Sequence, residues 1–75
     1  MNNRIALLRE SGGMTQNQLA QICNVTQQQI SKIERQQSMP SLELAFAIAH
    51  ALGCTIDELF EDESLRENGA YEVRR

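Results

Sequence analysis

Gln27, Gln28 and Gln29 stand in a row within the stretch NVTQQQISKIER, residues 24–35, with Lys32 and Arg35 close behind. A glutamine amide carries a donor and an acceptor side by side, and the two fit N6 and N7 of adenine in a duplex major groove. A lysine suits O6 and N7 of guanine or a phosphate equally well. Neutral amides of this kind read base edges and add little non-specific attraction. The plainer reading is a row of good helix formers on a solvated face. What decides between the two is the set of elements around the row.

No other group of residues competes for a chemical role. Cys23 and Cys54 form no CxxC pair and have no histidine set near them, so a zinc site is not expected. His50 stands alone, on the outward side of its helix, which favours exposure or an interface over catalysis. Cys23 reads as a small core residue, and Cys54 falls at a helix junction. There is no Ser/His/Asp arrangement and no phosphate-cradling glycine loop. The expectation is a protein that is not an enzyme, with no cofactor and no metal.

Seventy-five residues make one domain at most. A chain this short buries only about 60% of its unfolded surface, so its stability margin is small. With no Trp and only Phe46, Phe60 and Tyr71 as aromatics, aliphatic side chains must fill the core. The N-terminal MNNRIALLRESGG lacks a secretory apolar run, no segment approaches membrane-spanning length, and a reducing, cytoplasmic setting fits the two cysteines. The net charge of −3 looks wrong for a nucleic-acid binder, but its distribution is uneven. Residues 1–56 carry Arg4, Arg9, Lys32 and Arg35 against Glu10, Glu34 and Glu43, whereas residues 57–75 carry seven acids against Arg66, Arg74 and Arg75. The first part can therefore touch a phosphate backbone without strong repulsion.

The apolar spacing is helical throughout. Ile5 and Leu8 predict a helix over residues 2–11, ended by Gly12 and Gly13. Thr15 and Gln18 form a capping box that opens a second helix at 16–23, with Leu19, Ala20 and Cys23 on one side. Asn24 tolerates positive φ and allows a sharp turn. Thr26 with Gln29 predicts a further capping box and a third helix at 27–36, with Ile30 and Ile33 inward. Pro40 and Ser41 precede a fourth helix, 42–52, that is apolar almost all round. Gly53 ends it, and Thr55 with Glu58 opens a short fifth helix carrying Ile56, Leu59 and Phe60. Beyond it, residues 61–75 form an acidic tail. They read as a hairpin of 64–67 with 70–73, as a short helix ending at Asn68–Gly69, or as a frayed end.

Two short helices joined by a tight turn make a helix-turn-helix unit. It requires Leu19, Cys23, Val25, Ile30 and Ile33 to face the core, a small residue at Ala20 where the helices cross, and a left-handed turn at Asn24. With Ile30 and Ile33 inward, Gln28, Ser31, Lys32 and Arg35 point away from the core, and Gln27 lies on the exposed first turn.

The run TQNQLAQICNVTQQQISKIER, followed by PSLELAFAIAHALGCTIDELF, resembles the Cro/phage-repressor class of helix-turn-helix regulators, also called the xenobiotic-response-element family. The likeness covers residues 4–60, and TQQ at 26–28 resembles the recognition-helix start of one group of lambdoid phage repressors. The chain departs from the family at Asn24 and Gln36, where glycine is usual. The resemblance implies an all-α, five-helix, lambda-repressor-like domain over residues 1–60. It also implies base contacts from Gln27, Gln28 and Lys32, and a structural salt bridge between Arg9 and Glu34. Backbone contacts are expected from Gln16 and Asn17 at the start of helix two, and from Ser31, Arg35, Gln37 and Ser38, with Arg4 adding charge. Gln29 is expected to be occupied in capping.

The expected function is sequence-specific binding of double-stranded operator DNA by a homodimer, with repression by occlusion. Helix five, Phe46 or Leu44 of helix four, and the tail are the candidate dimer surface. The rival reading is an antitoxin-like or other protein-interaction module that uses the acidic C-terminal segment.

Overall fold

The computed structural model describes residues 2–61; the expectations for the tail beyond residue 61 lie outside the described residues. Five helices follow one another: α1 (Ile5–Ser11), α2 (Gln16–Cys23), α3 (Gln27–Glu34), α4 (Leu42–Leu52) and α5 (Ile56–Leu59). A two-residue strand stands at each end, β1 (Asn2–Asn3) and β2 (Phe60–Glu61), paired antiparallel with Asn3 opposite Phe60. The architecture is the expected all-α, five-helix one, with this small bridge added.

The bridge explains why the first helix starts at residue 5 and not at residue 2. Asn2 and Asn3 give their backbone to β2, and the Arg4 amide donates to the Leu59 carbonyl at 2.8 Å. Asparagine favours caps and turns over helix interiors, and the Asn3 side-chain oxygen accepts the Ile5 amide at 3.1 Å.

Every helix sends an aliphatic side chain into one core. Ile5, Leu19, Ile30, Ile33, Ile48 and Leu59 are fully buried, each worth about 1.5–3 kcal/mol of transfer free energy. Ala20 is buried where α2 meets α3, as the motif requires. Cys23, Val25, Cys54 and Phe60 pack around the edge of the core. The near-continuous apolar surface of α4 resolves into two faces. Leu44, Ala45, Ile48 and Ala49 are buried, while Leu42 is 71% and Phe46 56% exposed. Leu44 therefore belongs to the core and is withdrawn from the candidate dimer surface; Phe46 remains. Among the described residues no helix is long and apolar enough to cross a membrane.

The starts of α2, α3, α4 and α5 are capped by the side chains of Thr15, Thr26, Ser41 and Thr55. Thr15 and Thr55 form complete capping boxes with Gln18 and Glu58. Thr26 accepts the Gln29 amide at 3.1 Å, but the reciprocal side-chain bond is not made. The expectation that capping occupies the Gln29 side chain is corrected: only its backbone takes part.

The helix ends share one device. At α1, α2, α3 and α4 a residue at positive φ closes the last turn: Gly13, Asn24, Gln36 and Gly53. In α3 the Gln37 amide donates to the Lys32 carbonyl at 2.9 Å and the Gln36 amide to the Ile33 carbonyl at 3.0 Å. These two bonds make a Schellman closure. It ends α3 at Glu34, two residues earlier than the spacing predicts, with Arg35 as the cap. Asn24, at φ 61°, is a residue suited to the left-handed region; Gln36, at φ 64°, is not.

Gln36→Gly should therefore stabilise the protein. It removes about 1–2 kcal/mol of left-handed backbone cost against about 0.5–1 kcal/mol of extra unfolded-chain entropy. Urea denaturation should show a net gain of about 0.5–1 kcal/mol for Gln36→Gly and a change of only a few tenths for Asn24→Gly. A lower midpoint for Gln36→Gly would contradict this account of the α3 exit.

Candidate nucleic-acid interface

The start of α3 is presented by the turn before it. Asn24 reverses the chain, Thr26 caps the helix, and Ile30 and Ile33 fix its inner face. Gln27, Gln28 and Lys32 are left exposed over the first two turns. Ser31 is half-buried between them, and Arg35, Gln37 and Ser38 are exposed at the helix exit. Asn17 is exposed on the first turn of α2, and Gln16 beside it is half-buried.

A polar chain links this surface to the interior. The Gln27 amide nitrogen lies 3.5 Å from the Gln16 side-chain oxygen. The Gln16 amide nitrogen donates to Glu34 Oε1 at 2.9 Å. Arg9 then holds Glu34 from two sides, Nε to Oε2 at 2.7 Å and Nη2 to Oε1 at 3.1 Å. The remaining Arg9 nitrogen, Nη1, donates to the Met14 carbonyl at 2.8 Å. Glu10, largely exposed, approaches Arg9 at 3.5 Å.

The Arg9–Glu34 side chains are 10% and 6% exposed, so the pair is buried as well as bidentate. The hydrogen bonds that Arg9 donates to Glu34 raise the arginine's pKa against the opposing effect of burial, and the charges of Glu34 and Glu10 add to the rise. The guanidinium stays charged, and Glu34 is paired with it inside the fold. It presents no bare negative charge to an approaching polyanion. This leaves Lys32 and Arg35 as cations on the α3 surface.

The described structure gathers Gln16, Asn17, Gln27, Gln28, Lys32 and the α3 exit onto the α2–α3 unit, and it pairs Arg9 with Glu34. The link from Gln16 to Glu34 has no signal in the sequence, since the two residues are 18 apart on different helices. The cysteines are separate from this surface. Burial pushes both thiols up, with Glu58 adding to the effect at Cys54, so neither is an activated nucleophile.

Comparison with known proteins agrees with this geometry. Residues 5–59 match the family model described as helix-turn-helix. An HTH-type transcriptional regulator of Archaeoglobus fulgidus is 39% identical over 67 residues, which is 87% of this chain and 96% of that protein. The immunity repressor protein of Bacillus phage phi105 is 34% identical over 65 residues, 87% of this chain but 45% of that protein. The crystal structure of a hypothetical transcription factor from Neisseria is similar in fold, with a TM-score of 0.69 and 27% identity. The match covers 85% of this chain and 74% of that one.

Removing one member of the buried pair strands the other. Glu34→Ala should cost about 3–5 kcal/mol of stability, whereas the double replacement Arg9→Met with Glu34→Leu, which buries no charge, should cost less than Glu34→Ala alone. Losses that simply add in a denaturation cycle would show that the two residues act independently.

Proposed function

The chain belongs to the helix-turn-helix family of transcriptional regulators, and from that premise we propose that it binds a specific operator as a homodimer and represses by occlusion. The family is one of non-enzymatic DNA-binding proteins. The observation that carries the finer reading is the exposed set Gln27, Gln28 and Lys32 on a helix start whose direction is fixed through Gln16, Glu34 and Arg9. In this reading α3 enters the major groove by its first turn. Gln27 and Gln28 take base edges, with adenine N6 and N7 the natural match, and Lys32 takes guanine or a phosphate.

The backbone contacts follow from the same placement. Asn17 and the α2 start face one phosphate run, and Ser31, Arg35, Gln37 and Ser38 face the other. Gln16 spends one amide hydrogen on Glu34 and keeps its second for a phosphate. The small number of cations implies a shallow salt dependence and modest affinity for one protomer. A second protomer on a two-fold site supplies the rest. The surface that suits this contact is the open hollow of about 470 Å³ between α4 and α5, bordered by Phe46, His50, Ile56 and Asp57. Leu42 and Phe46 add exposed apolar area on α4.

Selection from a random duplex library should enrich one sequence family; enrichment of nothing over random duplex would overturn specific binding. On the enriched duplex, Gln28→Ala should lose about 1–3 kcal/mol and relax the preference at one position. An equal loss on every duplex would make Gln28 a backbone contact instead. Phe46→Glu should sediment as a monomer and lose affinity for a duplex with two half-sites, while binding to a single half-site stays unchanged. Persistence of the dimer in that variant would move the interface elsewhere.

A further inference from the structure

Asn3 is the one residue of β1 whose side chain reaches across the fold to α3. Its Nδ2 donates to the Ile33 carbonyl at 2.9 Å, thirty residues away in sequence. Its Oδ1 accepts the Ile5 amide at 3.1 Å. That bond serves the start of α1, where Arg4 makes no side-chain cap. Its backbone is paired with Phe60 across the β1–β2 bridge. One half-buried amide thus joins the N-terminal strand, the start of α1 and the last turn of α3.

The place where it touches α3 adjoins the left-handed closure of that helix. Gln36 closes the helix at φ 64°, a conformation that costs energy for any residue with a Cβ and that glycine would adopt freely. The Ile33 carbonyl accepts the Gln36 amide in this closure, and Asn3 supplies its second donor. With both lone pairs satisfied, the closure is held from outside the helix. Arg35, Gln37 and Ser38, which flank Gln36, leave the helix from this turn.

We propose that Asn3 is a positioning residue for DNA binding. It holds the α3 exit so that Arg35 and its neighbours meet the phosphate backbone, and it touches no DNA itself. This rests on the reading that α3 enters the major groove. A residue that merely stabilised the domain would lower the folded fraction but leave the contacts of the folded molecule intact. A positioning residue changes those contacts, and Arg35 then matters less when Asn3 is absent.

The test uses Asn3→Ser, which is neutral, keeps a side-chain oxygen for the Ile5 amide and cannot reach Ile33. Asn3→Ala, which loses both bonds, is the second variant. Binding is measured on the duplex enriched by the wild-type protein, at a temperature where unfolding curves show each variant fully folded. Asn3→Ser should bind about 3- to 10-fold more weakly, with an unchanged base preference and a log–log salt slope reduced by about 1. Amide exchange at Gln36 and Gln37 should quicken in both variants. Arg35→Ala should cost less in the Asn3→Ser background than in the wild type. Wild-type affinity and slope in Asn3→Ser, or an Arg35→Ala loss that is the same in both backgrounds, would overturn the proposal. Failure of the wild type to enrich any duplex would instead overturn the parent reading, and this one with it.

Discussion

The Glu34 carboxylate is the point on which the fold turns. It is the last residue of α3, and it receives Arg9 from α1 through two bonds and Gln16 from the start of α2 through a third. Arg9 in turn ties down the Met14 carbonyl in the connection between α1 and α2. Three helices and one turn are therefore referenced to a single buried group. Such a pair adds less to stability than its geometry suggests, because both charges lose their hydration. Its contribution here is directional. It sets the angle at which α3 leaves the core, and it removes a negative charge from the surface proposed to meet a polyanion.

Orientation by polar groups suits a core this small. Six fully buried aliphatic side chains, without an aromatic among them, hold the helices together. Apolar packing is non-directional and leaves room for small rotations. The caps at Thr15, Thr26, Ser41 and Thr55 fix where helices begin, and the positive-φ closures fix where four of them end. A reader built from short amides needs this kind of support, because a recognition group must be held within about 0.5 Å of its productive position.

Much of this was legible in the sequence wherever the signal is local. The bounds of α2 and α4 followed from Thr15 with Gln18, and from Ser41 and Gly53; α5 followed from Thr55 with Glu58. The start of α1 was not legible, because Asn3 pairs with Phe60, far along the chain. The apolar spacing runs α3 two residues too far, because a glutamine at position 36 does not itself signal a left-handed turn; only the resemblance, in which glycine is usual there, points to the closure. Leu44 and Phe46 could not be ranked on a helix that is apolar on nearly every side; only packing buries the first and exposes the second. The Arg9–Glu34 pair came from family resemblance, since residues 25 apart leave no periodic trace. The roles of Gln27, Gln28 and Lys32 rest on the same resemblance, joined to an exposure that the described structure gives them.

The central claim is that the Gln28 amide on α3 reads an adenine edge. The most direct measurement replaces each adenine of the enriched duplex in turn with 7-deazaadenine, which deletes the N7 acceptor and keeps base pairing. Wild-type protein should lose about 1–3 kcal/mol at one adenine in each half-site, and Gln28→Ala should lose nothing further there. No loss at any adenine in the wild type, or the same loss in both proteins, would contradict the account.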